Sequence, residues 1–95
     1  MVTARRLVLD LLKPYKPDIV TVADAVAGID GVTGVNVALV ETDKEVQTVK
    51  MTVEGDPIQV ETVYETLEDL GAAVHSIDEV VCGDHIVEQS TTPQD

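Results

Sequence analysis

The sequence predicts a single α+β domain in which strands and helices follow the order β-α-β-β-α-β. Three observations predict it. Apolar residues recur at every second position in some stretches and at helical spacing in others. Glycine and proline separate these stretches. The chain has only 95 residues, of which 44% are hydrophobic, so it has room for one core and no second lobe.

This order is a split βαβ arrangement. Right-handed crossovers place the first and third strands in the centre of a four-stranded antiparallel sheet, with both helices on one face. The fourth strand then becomes an edge beside the first.

The first strand covers residues 4–12, where leucine and valine recur with little alternation, as in a central strand buried on both faces. The prolines of the segment KPYKP end it, because proline lacks a backbone N–H. The first helix is predicted to begin at Asp18, with Pro17 in its first turn, and to end at Gly31. Its apolar positions at helical spacing are Ile19, Val22, Ala23, Val26 and Ile29.

A hairpin and a second helix follow. The hairpin is predicted from two alternating strands joined by the short polar junction TDKE. The residues that share the core side of these strands are Val35, Val37 and Leu39 in one and Val49, Met51 and Val53 in the other. Asp56 is the predicted cap of the second helix, Pro57 its first residue and Gly71 its end. Its apolar stripe is Val60, Val63, Tyr64, Leu67 and Leu70.

The last strand lies within GAAVHSIDEVVCG, residues 71–83, where ionisable groups interrupt the alternation expected of a strand. Inward-pointing charges on an edge strand discourage pairing with other chains, so an edge position accounts for some of them. A polar segment with little to bury follows. We therefore predict one domain over residues 1–83 and a polar acidic tail over residues 84–95.

The charge balance limits the partners. Eighteen acidic residues against six Lys and Arg give a net charge of −12, which repels phosphate backbones and anionic lipids, so neither nucleic acid nor membrane is an expected partner. The same charge favours cations and also suits concentrated salt. The apolar run after the first arginines is short and contains Asp10, which supports neither secretion nor a membrane span. We expect a cytoplasmic protein.

The sheet face without helices is predicted to be partly apolar. If Leu7, Leu9 and Leu11 face the helices, the alternation turns Val8, Asp10 and Leu12 to the other face, together with Val40 and Val80 of other strands. An uncovered apolar face on so small a domain indicates a partner surface. Self-association is the economical prediction, because most soluble oligomers are symmetric homo-oligomers.

Four segments, RRLVLDLLKP, GVNVALVETD, VKMTVEG and HSIDEVVCG, occur in this order and together resemble the archaeal domain of unknown function 211 family. The resemblance covers residues 4–83. It implies a ferredoxin-like fold in homo-oligomeric rings, with calcium or another divalent cation as a suspected ligand and no established enzymatic activity. We accordingly expect a closed oligomer larger than a dimer.

Oxygen donors near Asp10 suggest a cation site. A carboxylate inside an apolar run must be paired, hydrogen-bonded or bound to a cation, and an interface acid satisfied by a neighbouring group is an alternative. Antiparallel pairing of the first and last strands brings Ser76 and Asp78 near it. The predicted metal ligands are Asp10 and Asp78, together with Glu79 or Ser76 from the same or an adjoining subunit. Oxygen donors without thiolates select calcium or magnesium. Calcium is favoured, because it tolerates irregular geometry.

Other chemistry finds less support. His75 and His85 form no zinc motif, and Ser76 adjoins His75 on a strand, so their side chains point to opposite faces and a catalytic triad is disfavoured. The single cysteine, Cys82, is interpreted as an apolar filler at a strand end. The acids of the turn at 41–45 could hold a cation but are more typical of a solvated hairpin tip.

The leading hypothesis is therefore a homo-oligomeric protein without enzymatic activity that binds a divalent cation in a way coupled to assembly. The alternative is a small-molecule-sensing regulatory domain with its effector at a subunit interface, which depends on fold analogy. A small hydrolase or isomerase lacks a catalytic constellation.

Overall fold

The computed structural model describes residues 3–90 and contains the predicted elements in the predicted order. They are β1 (Ala4–Pro14), α1 (Ile19–Ala27), β2 (Val32–Thr42), β3 (Val46–Ile58), α2 (Val60–Asp69) and β4 (Ala73–Cys82). The strands form one antiparallel sheet in the order β2-β3-β1-β4. The α+β, ferredoxin-like fold is confirmed. In the described part of the chain, no helix has the length and apolarity to cross a membrane.

The core lies between the helices and one face of the sheet. The predicted helix stripes are confirmed, because Val22 and Val26 of α1 and Val63 and Leu67 of α2 are fully buried. The sheet contributes the predicted alternating residues, which are Leu7, Leu9, Leu11, Val49, Met51 and Val53. The net burial of aliphatic side chains from both layers is the main force that holds helices and sheet together.

The start of α1 differs slightly from the prediction. Asp18 is the N-cap rather than a helical residue, and Pro17 precedes the cap. The Asp18 carboxylate accepts a hydrogen bond of 2.9 Å from the backbone N–H of Thr21, which lowers the pKa of Asp18. The helix ends at the cap Gly28 rather than at Gly31, and Gly31, with φ 92°, lies in the following turn.

The predicted start of α2 is wrong by a few residues. Asp56 and Pro57 belong to the end of β3, and Gln59 occupies the N-cap position without a side-chain cap bond. The Asp56 carboxylate accepts a hydrogen bond from Arg5, while its backbone N–H donates to the carbonyl of Gly31 at 2.8 Å. Both groups therefore tie β3 to its neighbours instead of capping the helix.

The open face of the sheet is more polar than predicted. Directly paired residues of antiparallel strands share a face. The open-face residues Arg6, Val8, Asp10 and Leu12 of β1 lie opposite Glu54, Thr52, Lys50 and Thr48 of β3. Val8 is buried, and Leu12 is exposed. The prediction for Val80 is wrong, because it lies opposite Leu7 on the helix-covered face. Val40 lies at a register shift between Leu39 and Glu41.

Residues 84–90 follow β4 without forming a helix or strand. The carboxylate of Glu88 accepts hydrogen bonds from Arg6 on β1, so this part of the predicted tail is held against the domain. The remaining residues of that tail, 91–95, lie outside the described part of the chain.

Candidate functional site

The two edges of the sheet carry the features that bear on function. The first feature is β4, whose pairing with β1 shifts at three points, two of which place an additional residue on β4. Val8 pairs with Glu79 but Leu9 with Ile77, and Asp10 pairs with Ser76 but Leu11 with Val74. Asp78 and His75 are therefore the additional residues at two β-bulges, which explains how the strand accommodates polar groups in its middle.

The bulges convert the two-residue period of a strand into a three-residue period. Val74, Ile77 and Val80 lie opposite Leu11, Leu9 and Leu7, on the helix-covered face, and we call these three residues the β4 stripe. Their exposed fractions are 37%, 52% and 52%. The core beneath the helices thus continues to the β4 edge, where it is open to solvent. Simple alternation missed this stripe, although the spacing V-x-x-I-x-x-V was present in the sequence.

Three of the four predicted cation ligands lie in one region. Ser76 is the cross-strand partner of Asp10 on the open face. The Ser76 hydroxyl Oγ donates a hydrogen bond of 2.7 Å to Oδ1 of Asp78. Lys50 is the partner of Asp10 on its other side. Asp10 thus lies between Lys50 on β3 and Ser76 on β4, and Ser76 is hydrogen-bonded to Asp78.

The fourth predicted ligand, Glu79, belongs to an ion-pair cluster around Arg6. Nη1 of Arg6 lies 3.7 Å from Oε1 of Glu79 and 2.8 Å from Oε1 of Glu88. Nε of Arg6 donates a hydrogen bond of 2.8 Å to Oε2 of Glu54. The contact with Arg6 lowers the pKa of Glu88, chiefly through their hydrogen bonds. One guanidinium therefore joins β1, β3, β4 and the segment after β4.

The described part of a single chain does not bring a complete set of metal ligands together. Across residues 3–90, there is no group of three or more His, Cys, Asp or Glu side chains placed to hold a metal ion. Asp10 and Asp78 supply two carboxylates, and Glu79 is turned to Arg6. The predicted site therefore stays a prediction that requires further donors, either from a second subunit or from water.

The opposite edge, β2, has a different character. Residues 32–40, VTGVNVALV, include no Asp, Glu, Lys, Arg or His, and Leu39 and Val40 are 49% and 63% exposed. Between this strand and α1 lies a groove of about 420 Å³. We call it the α1–β2 groove, and it is lined by Ile19, Val20, Ala23, Asp24, Ala27, Val35 and Val37. Sequence reasoning found the strand and the helix but not the groove, since their separation is set by tertiary packing.

A buried lysine is a further residue that sequence reasoning missed. The side chain of Lys13 is almost fully enclosed, and its Nζ donates hydrogen bonds of 2.7 Å to the carbonyl of Pro14 and 3.0 Å to Oε1 of Gln47. Burial lowers the pKa of Lys13, and the nearby Asp18 opposes that effect. Both acceptors belong to the end of the sheet, so Lys13 acts there as a structural tie.

The remaining candidates lie on the surface. His75 is an exposed bulge residue. Cys82 is at the end of β4, as predicted, but it is exposed, so its interpretation as a filler is wrong. At the hairpin tip, the Asp43 carboxylate accepts a hydrogen bond of 2.7 Å from the backbone N–H of Lys44. This bond is a local turn contact of the kind that solvated tips make.

Comparison with known proteins gives two matches. The model of the DUF211 family, whose description reads "Uncharacterized ArCR", matches residues 5–95. An uncharacterized protein of the archaeon Methanocaldococcus jannaschii is 45% identical over 91 residues, which is 96% of this chain and 94% of that protein. The matched region extends beyond residues 4–83 and includes the predicted tail.

Proposed function

Because the chain belongs to the DUF211 family, as its sequence indicated, and that family is uncharacterized, we propose a function from the geometry of its own sheet. The proposal is a self-assembling protein without enzymatic activity, which forms a closed homo-oligomer larger than a dimer. The observation that supports it is the edge strand β2, which carries no ionisable side chain over residues 32–40. Such an edge offers unpaired backbone groups to another strand, and monomeric proteins protect it with charge, proline or a covering segment.

Electrostatics support a specific contact rather than indiscriminate association. The net charge of −12 makes copies of the chain repel one another over most of their surface. Residues 32–40 add no charge to this repulsion, since they include no ionisable side chain. Contact at the β2 edge therefore meets less repulsion than contact elsewhere. Screening by salt lowers the remaining repulsion, so we expect assembly to strengthen as ionic strength rises.

Light scattering after size-exclusion chromatography tests the proposal with a matched pair of variants. Ala38→Glu adds a charge to the β2 edge at a position opposite Lys50, so the fold is expected to tolerate it. Thr52→Glu adds the same charge on β3, the neighbouring strand, and serves as the control because β3 is not an edge of the sheet. We expect a discrete multimer for the native chain and for Thr52→Glu, and a smaller species for Ala38→Glu. A native chain that stays monomeric across micromolar concentrations in moderate and high salt contradicts the proposal.

Cation binding is a second part of the proposal. It is supported by the position of Asp10, Ser76 and Asp78 on neighbouring strands and by the accumulation of negative charge that assembly brings. A cation held between these carboxylates and donors of an adjoining subunit would couple ion binding to assembly, because it binds the assembled state preferentially. Hard oxygen donors favour calcium, with magnesium as the other candidate.

Calorimetry with calcium chloride tests this part. We expect a saturable isotherm that survives moderate sodium chloride and is lost in Asp10→Asn and in Asp78→Asn. Asp69→Asn, on the exposed side of α2, removes the same charge elsewhere and should keep the isotherm. Weak binding that is equal in all three variants indicates screening of the net charge instead.

The alternative function is the sensing of a small molecule, and the α1–β2 groove is the observation that favours it. The groove has a volume within the range of ligand sites and a mostly apolar lining. A panel of apolar metabolites in a thermal-shift assay tests it. A compound that raises the melting temperature of the native chain but not of Ala23→Trp, which fills the groove, would support this role.

A further inference from the structure

The two unlike edges of the sheet suggest how one subunit contacts the next. Resting on the proposed self-assembly, we infer that the β4 stripe of one subunit occupies the α1–β2 groove of another, with β4 continuing the neighbour's sheet beside β2. The contact is head-to-tail. Each subunit binds one neighbour through its β4 edge and another neighbour through its β2 edge.

The β4 stripe has the properties of the inserted part. Val74, Ile77 and Val80 lie on the helix-covered face of the sheet, yet α2 leaves them partly uncovered, with exposed fractions of 37–52%. Three branched apolar side chains in one row form a continuous ridge at the very edge of the molecule. Burying such a ridge is favourable at roughly 25 cal/mol for each Å² of apolar surface.

The α1–β2 groove has the properties of the receiving part. It is concave and mostly apolar, with Val35 and Val37 of β2 as its floor and Val20, Ala23 and Ala27 of α1 as its wall. Val20 is 72% exposed, which is unusual for a large apolar residue in a helix that already has a buried stripe. The alanines leave room between helix and strand where larger side chains would close the gap.

The two surfaces lie on the same side of the sheet. Val35 and Val37 are paired with the core residues Val53 and Met51, so the groove floor faces the helices. The β4 stripe is paired with the core residues of β1 and faces the same way. If β4 of a second copy continues the sheet next to β2, its stripe therefore falls beside Val35 and Val37 and under α1.

The charges near the stripe do not enter the groove. Ser76 and Glu79, which alternate with the stripe along β4, are paired with the open-face residues Asp10 and Val8. Asp24 is the charged member of the groove lining. A second copy of the chain is thus a suitable occupant, because its ridge is apolar, Glu79 lies on the other face of the sheet, and Asp78 is hydrogen-bonded to Ser76 of that face.

A complementation experiment tests this contact. Ile77→Asp alters the stripe and leaves the groove intact, whereas Val20→Asp alters the groove and leaves the stripe intact. Both positions are exposed, so the fold should persist, which circular dichroism can check. Each variant alone should lose the multimer. An equimolar mixture should form a one-to-one heterodimer and nothing larger, because only one intact stripe and one intact groove can meet.

Native mass spectrometry reads the outcome, with Thr21→Asp as the control on the same helix outside the groove lining. Val80→Asp replaces Ile77→Asp if the latter does not fold. Variants that keep the native multimer, or a mixture that stays monomeric beside a multimeric native chain, overturn the inference while self-assembly stands. A native chain that is itself monomeric would instead contradict the proposed self-assembly. Failure of the inferred contact and failure of self-assembly therefore give different results.

Discussion

The β2 and β4 edges belong to one sheet but solve the problem of an exposed edge in opposite ways. The β2 edge has one register shift near each of its ends, keeps a single register over residues 34–39, and carries no ionisable side chain over residues 32–40. The β4 edge has two bulges, carries His75, Asp78 and Glu79, and is followed by a segment whose Glu88 is bound by Arg6. Bulges and charges are known protections of edge strands.

The difference teaches that two edges of one sheet can both expose apolar side chains and still differ in charge. Residues 32–40 of β2 include no ionisable side chain, whereas β4 carries His75, Asp78 and Glu79. On β4 the three residues of the β4 stripe lie on the helix-covered face, while Glu79 lies on the other face. An association of two β4 edges would bring their charged side chains together, so β4 is expected to prefer an edge without charge.

The largest expected effect concerns the layer that supports both edges. Leu67→Asp places an unpaired charge in the fully buried core under α2, which should lower the free energy of unfolding by about 4 kcal/mol or more. Chemical denaturation followed by circular dichroism measures it. Glu65→Asp, on the exposed side of α2, should leave stability nearly unchanged. An unchanged denaturation midpoint for Leu67→Asp would reject the core assignment and, with it, the common support of the two edges.

A second prediction compares the inside of the sheet with its β2 edge through two glycines. A Cβ atom at Gly55 would lie 2.5 Å from the carbonyl oxygen of Gly31, so Gly55→Ala should cost about 1–3 kcal/mol of stability. At Gly34, on β2, a Cβ atom would meet nothing within 4 Å, and Gly34→Ala should stabilise by about 0.5 kcal/mol. Thermal unfolding of the two variants under dissociating conditions checks the signs. Equal destabilisation would show that the β2 edge is not open there.

A smaller effect should sharpen the description of the β4 bulges. Ser76→Ala removes the donor of the Ser76–Asp78 hydrogen bond, and we expect a loss of less than about 1 kcal/mol, because the bond is partly exposed. Asp78→Asn keeps an oxygen acceptor for Ser76 and should cost less. The two free energies of unfolding can be compared by urea titration. A larger loss for Asp78→Asn than for Ser76→Ala would mean that the carboxylate charge, rather than the hydrogen bond, shapes the bulge.

The smallest expected effect is a pH dependence at the segment that follows β4. Arg6 holds the pKa of folded Glu88 below its ordinary value of 4.5. The contribution of Glu88 to stability is therefore present above the unfolded pKa and is lost as the pH falls through the folded one. The difference in unfolding free energy between the native chain and Glu88→Gln should be present at pH 7 and should diminish as the pH falls below 4.5. A difference that stays constant with pH would exclude the Arg6–Glu88 pair as its cause.

The fold was predictable because its main signals are local. Val22 with Val26 and Val63 with Leu67 recur at helical spacing, and Val49, Met51 and Val53 alternate, so each element reveals its own buried side. Helix starts were less predictable. Asp56 has the chemistry of a cap, but its partner is Arg5, which is distant in sequence.

The candidate site was only partly predictable for a related reason. The predicted pairing of the first and last strands along the chain, β1 and β4, correctly brought Asp10 and Ser76 together, because it follows from the topology. Glu79 was predicted to bind a metal ion, but the positive charge beside it is the guanidinium of Arg6, which the sequence pattern could not locate. The faces of Ile77 and Val80 depended on the bulges at His75 and Asp78, which alternation cannot locate. The groove required the distance between α1 and β2, which no local pattern encodes.

The two bulges of β4 also bear on how far an assembly can grow. A bulge increases the local twist of its strand, and a strand that twists strongly cannot continue a flat sheet. In the proposed assembly, a row of subunits joined through β4 would therefore turn a little at every junction. Such a head-to-tail row becomes a finite ring where the rotation closes on itself and a helical filament where it does not. Irregularities within one strand would thus help to set the shape and size of the whole assembly.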